Sequence, residues 1–259
     1  MRRSAGLAIV FLVIAGVVWP PAARAQVNAE SLRVALRKNP TFLWLDGALV
    51  TRTGNSQSMT LAASAFGGIT RPPHLFFGRA AADYATTSQD ALVVARSLAH
   101  VRYNYETTPF LFLELLAQVQ HDHFRRLAVR DLYGTGLRFN FLRTDDFELF
   151  SGTTIILEQQ VISRTDLYPG RSDLWARSSD YAGFNAAVAS FAQLNSVTYV
   201  QPRLDRPRDF RVLHETIVTF AITKRLAAKI SFNVTYDREP VAGVLPADVE
   251  LKNSLAVKF

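Results

Sequence analysis

His121 and His123 in "HDH" have the i, i+2 spacing that puts both side chains on one face of a strand, where they could hold a divalent metal. The stretch reads better as a polar loop tip, because Phe124, Arg125 and Arg126 follow it directly. His100, His121, His123 and His214 stand among many serines, which raises acyl transfer by a Ser–His pair at a lipid surface. That chemistry also needs an Asn or Asp to orient the histidine, and no His and Ser show such a partner at close same-face spacing. "YGTG" at 133–136 is not a phosphate loop; Gly134 and Gly136 share one strand face, where they relieve crowding or curve the sheet. We therefore expect no catalytic residue, no metal site and no cofactor.

A larger set of polar groups comes from alternation. Arg79, Asp83, Arg96, His100, Arg102, Glu114, Arg130, Arg138, Glu148, Glu158, Arg177, Arg211, Glu215, Lys229, Glu250 and Lys252 all fall, by parity, on the face opposite the apolar residues. Two kinds of chemistry fit. The charges can neutralise one another in a packed network of ion pairs, since buried charges need partners. They can also line a pore whose slight cationic bias favours anions.

The elements that must position them are strands. Ala228, Ile230, Phe232, Val234 and Tyr236 alternate with Lys229, Ser231, Asn233, Thr235 and Asp237, and the same period recurs along the chain. Strands are expected near 41–52, 57–69, 74–86, 91–106, 109–121, 128–142, 146–161, 172–185, 189–202, 209–223, 225–237 and 248–259. A soluble sandwich would turn the apolar faces together. A transmembrane barrel would turn them to lipid and the polar faces into a lumen. The even number of segments, their lengths near the ~9–11 residues needed to cross a bilayer with tilt, and the alternation of short turns with longer loops favour the barrel. Twelve strands lie between filled eight-stranded and open sixteen-stranded barrels, so a filled or narrow lumen is expected.

Both ends of the sequence fit this. Residues 1–25 read as a signal peptide, with Arg2 and Arg3, an apolar run, and an Ala23-Arg24-Ala25 site predicting cleavage before Gln26. Residues 26–40 form a periplasmic lead-in and 41–259 the barrel domain. Phe259, Val257 and Leu255 resemble the signal read by the outer-membrane barrel assembly machinery. The absence of Cys excludes a disulfide framework and Cys-ligated zinc. The formal charge of +7 is spread over single basic residues rather than runs, which argues against nucleic acid as a partner.

Several short motifs resemble the salt-induced outer-membrane protein family (YdiY-like), a domain of unknown function. They are Tyr236-Asp237, Pro240, Gly243-Val244, Asp248 and Phe259 near the end, Gly54-Asn55 between the first two strands, 131–160 with Gly134, Gly136 and Glu158, and 199–212. The resemblance implies a monomeric barrel of the cell outer membrane, induced by salt or envelope stress, in contact with outer-membrane lipid and the assembly machinery. It implies no catalytic residues. The other readings are a narrow, porin-like diffusion channel for small anionic solutes and, behind it, an outer-membrane lipid hydrolase using His100 or His121. A soluble periplasmic sandwich is the alternative fold.

Overall fold

The computed structural model describes Arg33, Leu36 and residues 40–52, 58–87, 92–123 and 125–259. Twelve strands follow one another: β1 (Thr41–Arg52), β2 (Ser58–Arg71), β3 (His74–Thr87), β4 (Leu92–Glu106), β5 (Leu111–Asp122), β6 (Leu127–Arg143), β7 (Phe147–Ile162), β8 (Arg171–Ala189), β9 (Ala192–Pro202), β10 (Phe210–Ala221), β11 (Leu226–Asp237) and β12 (Ala247–Lys258). Each pairs antiparallel with its sequence neighbours, and β1 pairs with β12, so the sheet is a closed barrel. Closure satisfies the backbone groups of both edges, which an open sheet in lipid could not do. The seam is the shortest ladder, running from Trp44↔Lys258 to Gly47↔Leu255. Phe259 extends it by donating its N–H to the Leu43 carbonyl at 2.9 Å.

The pleat sorts the side chains. Along β5 the even-numbered residues are buried, whereas Leu113, Leu115 and Val119 are about half exposed. Leu43, Leu45, Leu61, Val101, Ile155, Leu157, Leu251, Leu255 and Val257 complete an outward apolar belt. Rings gather at its margins: Phe110, Phe139 and Phe141 stand 5.6–6.5 Å apart at one end, and Phe210 and Tyr236 stand 5.9 Å apart at the other. An apolar belt between aromatic girdles, over a polar interior, is the arrangement of a barrel that spans a membrane. The soluble sandwich is excluded, since its apolar faces would be covered.

Short turns lie at one end, the turn end, at 72–73, 107–110, 144–146, 190–191 and 222–225. The opposite, loop end carries the longer connections 163–170, 203–209 and 238–246 and a short one at 123–126. Strand limits fall within a few residues of those expected, with the largest displacement at β8 and β9, whose turn lies at 190–191 rather than at 186–188. "AAVA" at 186–189 has no polar–apolar contrast, so parity cannot mark where β8 stops. Residues 1–25, including Ala23 and Ala25, and Gln26 lie outside the described residues.

Candidate functional site

The interior of the barrel is the candidate site, and it has three storeys. Every charged residue the alternation selects is inside. Arg79, Arg102, Glu114, Arg130, Arg138, Glu148, Glu158, Arg211, Glu215 and Lys229 are 0–8% exposed. Arg96, Glu250 and Lys252 are part-buried on the same face.

The middle storey is packed. Glu114 accepts from the Tyr181 hydroxyl at 2.6 Å and from Asn104 Nδ2 at 2.7 Å, with the Arg102 guanidinium at 3.8 Å. Arg138 reaches Glu148 at 3.4 Å and lies 3.9 Å above the Phe150 ring. Phe150, Tyr181, Val197, Tyr199 and Leu213 form a buried cluster beneath it. Gly136 leaves no room for a side chain, because a Cβ there would stand 2.1 Å from the Thr153 carbonyl oxygen. Aromatic and aliphatic bulk therefore fills the bore that a ring of charges alone would leave wet.

A second ion-pair group braces the β11–β4 side. Lys229 bonds Asp46 at 2.6 Å and lies 4.5 Å from the Phe66 ring centre. Arg96 joins Asp83 at 2.5 Å and Glu250 at 3.0 Å, and Lys252 lies 3.7 Å from Asp83.

At the turn end, two residues ahead of the barrel enter it. Arg33 donates to Asn104, lies 3.8 Å from Glu114 and stacks 4.8 Å from the Phe112 ring centre. Leu36 is 2% exposed in a cluster with Phe42, Phe66 and Phe77. The lead-in expected to lie in the periplasm thus contributes side chains to the bore. A cavity of about 240 Å³ remains at the loop end and one of about 200 Å³ at the turn end.

The loop-end cavity is the more specific of the two. It is lined by Arg125, Arg130, Arg171, Arg177, Arg203, Arg206 and Arg211 against Asp173, Asp209, Asp237 and Glu239. Beneath it Glu158 is shared by Arg211 at 2.7 Å, Arg177 at 3.0 Å and Arg130 at 3.2 Å. Arg211 also bonds Asp237 at 2.9 Å, Arg177 bonds Asp209 at 2.9 Å, and Arg125 bonds Asp248 at 2.7 Å. Arg203 spans Asp205 at 2.5 Å and Asp209 at 3.2 Å, and its hydrogen bond holds the Asp205 carboxyl below the usual carboxylate range. Trp175 lies under Arg203, 4.7 Å away, and its buried Nε1–H has no hydrogen-bond partner among the described residues. Several guanidinium groups and an unspent indole donor around one cavity can bind an anion by charge-assisted hydrogen bonds.

The loops over this mouth are tied down. Arg126 takes a left-handed φ of 56° and donates to the carbonyls of Ser163 at 2.9 Å and Ala242 at 3.0 Å. One side chain so links the connections before β6, β8 and β12.

Alternation finds many of the strand-borne charges, but the set it selects lacks Asp46, Asp122, Asp237 and Asp248, which lie on the same interior face. It is silent on Arg33, Arg125, Arg203 and Asp209, which lie outside the strands. The histidines disperse. His100 is 1% exposed inside the bore beside Gln118, so it cannot meet lipid as a hydrolase base. His121 faces outward and donates Nδ1–H to the Ala128 carbonyl at 2.9 Å, while His123 sits in the turn beyond β5. Among the described residues no group of three or more His, Cys, Asp or Glu could hold a metal ion.

Residues 47–259 match the family described as a protein of unknown function, DUF481. The chain belongs to this family. A comparison with curated proteins found no match. Solved structures it is similar to include the NanC porin, at 9% identity over 84% of this chain and 97% of that one with a TM-score of 0.46. The translocator domain of the autotransporter NalP from Neisseria meningitidis follows, at 10% identity, 89% and 94% coverage and a TM-score of 0.43. The KdgM porin gives 8% identity, 85% and 99% coverage and a TM-score of 0.41.

Proposed function

We propose that the protein is an integral outer-membrane barrel that binds small anions in its loop-end mouth and holds a narrow, closed path behind it. The Trp175 indole N–H, without a partner among the described residues, and seven arginines around a cavity of about 240 Å³ carry this reading. The long loops and the mouth then face outside the cell, and the turns, with Arg33 and Leu36, face the periplasm. The packed middle storey supports a closed resting state, so passage requires Arg33 and the Glu114 group to move. The salt- or envelope-stress setting belongs with this reading, because a barrel that stays shut costs a stressed cell little leakage. We assign the protein no catalytic step.

Recording from planar bilayers tests it. The wild type is expected to show few and small openings, with anions carrying the current. Millimolar citrate or phosphate on the loop-end side should reduce that current and protect Trp175 fluorescence from quenching. Frequent large openings without ion preference, or no response of Trp175 to either anion, would refute it.

A further inference from the structure

Around most of its circumference the outer wall is hydrocarbon, but β7–β10 depart from this. Thr153 donates to one carboxylate oxygen of Asp180 at 2.6 Å and Ser178 to the other at 3.0 Å, both contacts being exposed. On the next strands the Thr198 hydroxyl lies 2.9 Å from His214 Nδ1 and that of Thr216 lies 3.0 Å from Nε2. These side chains point outward, since Arg177, Ser179, Tyr181, Tyr199 and Leu213, at the alternate positions, are buried inside.

Asp180 is the central residue of Arg171–Ala189, so it is far from either rim. A carboxylate facing lipid there is unfavourable. Hydroxyls stabilise it, but no Lys, Arg or His bonds it among the described residues. Something of complementary chemistry is needed to cover this wall.

The wall is complementary to itself. Its β8 side offers an acceptor, Asp180, and its β9–β10 side offers a donor, the hydroxyl of whichever of Thr198 and Thr216 accepts the His214 ring N–H. The two sides are also level. Asp180, Val200 and Val212 share one hydrogen-bonded row. Rows climb toward the loop end as strand number rises: mid-strand Asp46 of β1 connects through Ser64, Ala81, Leu98, Gln120 and Arg130 to Gln160, near the loop end of β7. The outward residue of β10 level with Asp180 is therefore one pleat below Val212, which is His214.

We propose that this wall is a contact between two copies of the chain, related by a two-fold axis along the membrane normal beside β9. Each Asp180 carboxylate then meets the His214, Thr198 and Thr216 group of the other copy. Copies in one membrane share an orientation, so only that axis direction is open to them, and an isologous contact makes both pairs at once. The pairing replaces the monomer that the family resemblance implies, and it rests on none of the residues of the anion mouth.

The absence of native cysteines makes the test direct. Val200→Cys sits by the proposed axis on β9, and Leu61→Cys sits outward on β2, far round the barrel. After mild oxidation of the folded protein in phospholipid vesicles, the first is expected to migrate at twice the chain mass and the second not. Asp180→His and His214→Asp should each lower the cross-linked fraction of Val200→Cys about tenfold, and the two together should restore it. Heat-modifiable migration establishes that each variant is folded; if a swap variant fails to fold, the cysteine pair decides alone. Equal cross-linking at both positions, cross-linking of Val200→Cys in native membranes to a different protein, or folded single variants that the double does not rescue would overturn the proposal.

Discussion

The two mouths of the bore use the same pleat to opposite ends. At the loop end the inward positions carry Arg130, Arg177 and Arg211 around one carboxylate, and the connections add Arg125, Arg203 and Arg206. At the turn end the inward positions carry Phe42, Phe66 and Phe77, and the lead-in adds Leu36 as a fourth apolar member. One mouth is a charged cup and the other is stoppered. Strand alternation sets which residues face the bore, but segments outside the strands decide what each mouth becomes.

The comparison breaks most sharply at Glu158. Glu158→Gln leaves Arg130, Arg177 and Arg211 crowded in a buried site with their shared anion gone, at a cost of about 3–5 kcal/mol. Denaturant unfolding in micelles should show that loss, and a change within experimental scatter would mean the cup is wetter than its burial indicates. Gly136→Ala forces a Cβ against the Thr153 carbonyl between β6 and β7 and should cost about 1–3 kcal/mol by the same assay.

The stopper is tested functionally. Arg33→Ala combined with Leu36→Ala removes the ties to Asn104, Glu114 and the Phe42 cluster. Opening frequency in bilayers of the folded variant should rise several-fold; unchanged conductance would show that the Glu114–Tyr181 storey closes the bore unaided. At the cup, Arg203→Gln removes the cation above Trp175 and should weaken citrate binding about tenfold, read by Trp175 fluorescence. The smallest effect is expected at Arg171, an exposed side chain paired with part-buried Asp173: Arg171→Ala should cost under about 1 kcal/mol.

Much of this was legible before any coordinates. Period-two alternation marked all twelve strands and the inward face of nine, all but β1, β2 and β9, because a residue between lipid and a polar bore has only two directions to point. Where side-chain contrast vanished, as in "AAVA" at 186–189, the end of β8 was lost. Alternation also could not pair the charges. Glu158 is shared by partners 19, 28 and 53 positions away, and that sharing depends on which strands the closed sheet makes neighbours. The outward run of Thr153, Ser178, Asp180, Thr198, His214 and Thr216 was hidden for a similar reason. Each looks like an isolated exception on its own strand, and only the register joins them.

The sequence by itself determined an all-strand barrel and the sorting of its residues into lipid-facing and interior sets, because both follow from local alternation. Tertiary structure decided that the bore is packed in the middle, charged at one mouth and stoppered at the other. Those outcomes depend on cross-strand register and on Arg33, Leu36 and the loops reaching into the barrel, and no local period encodes contacts between residues so far apart in the chain.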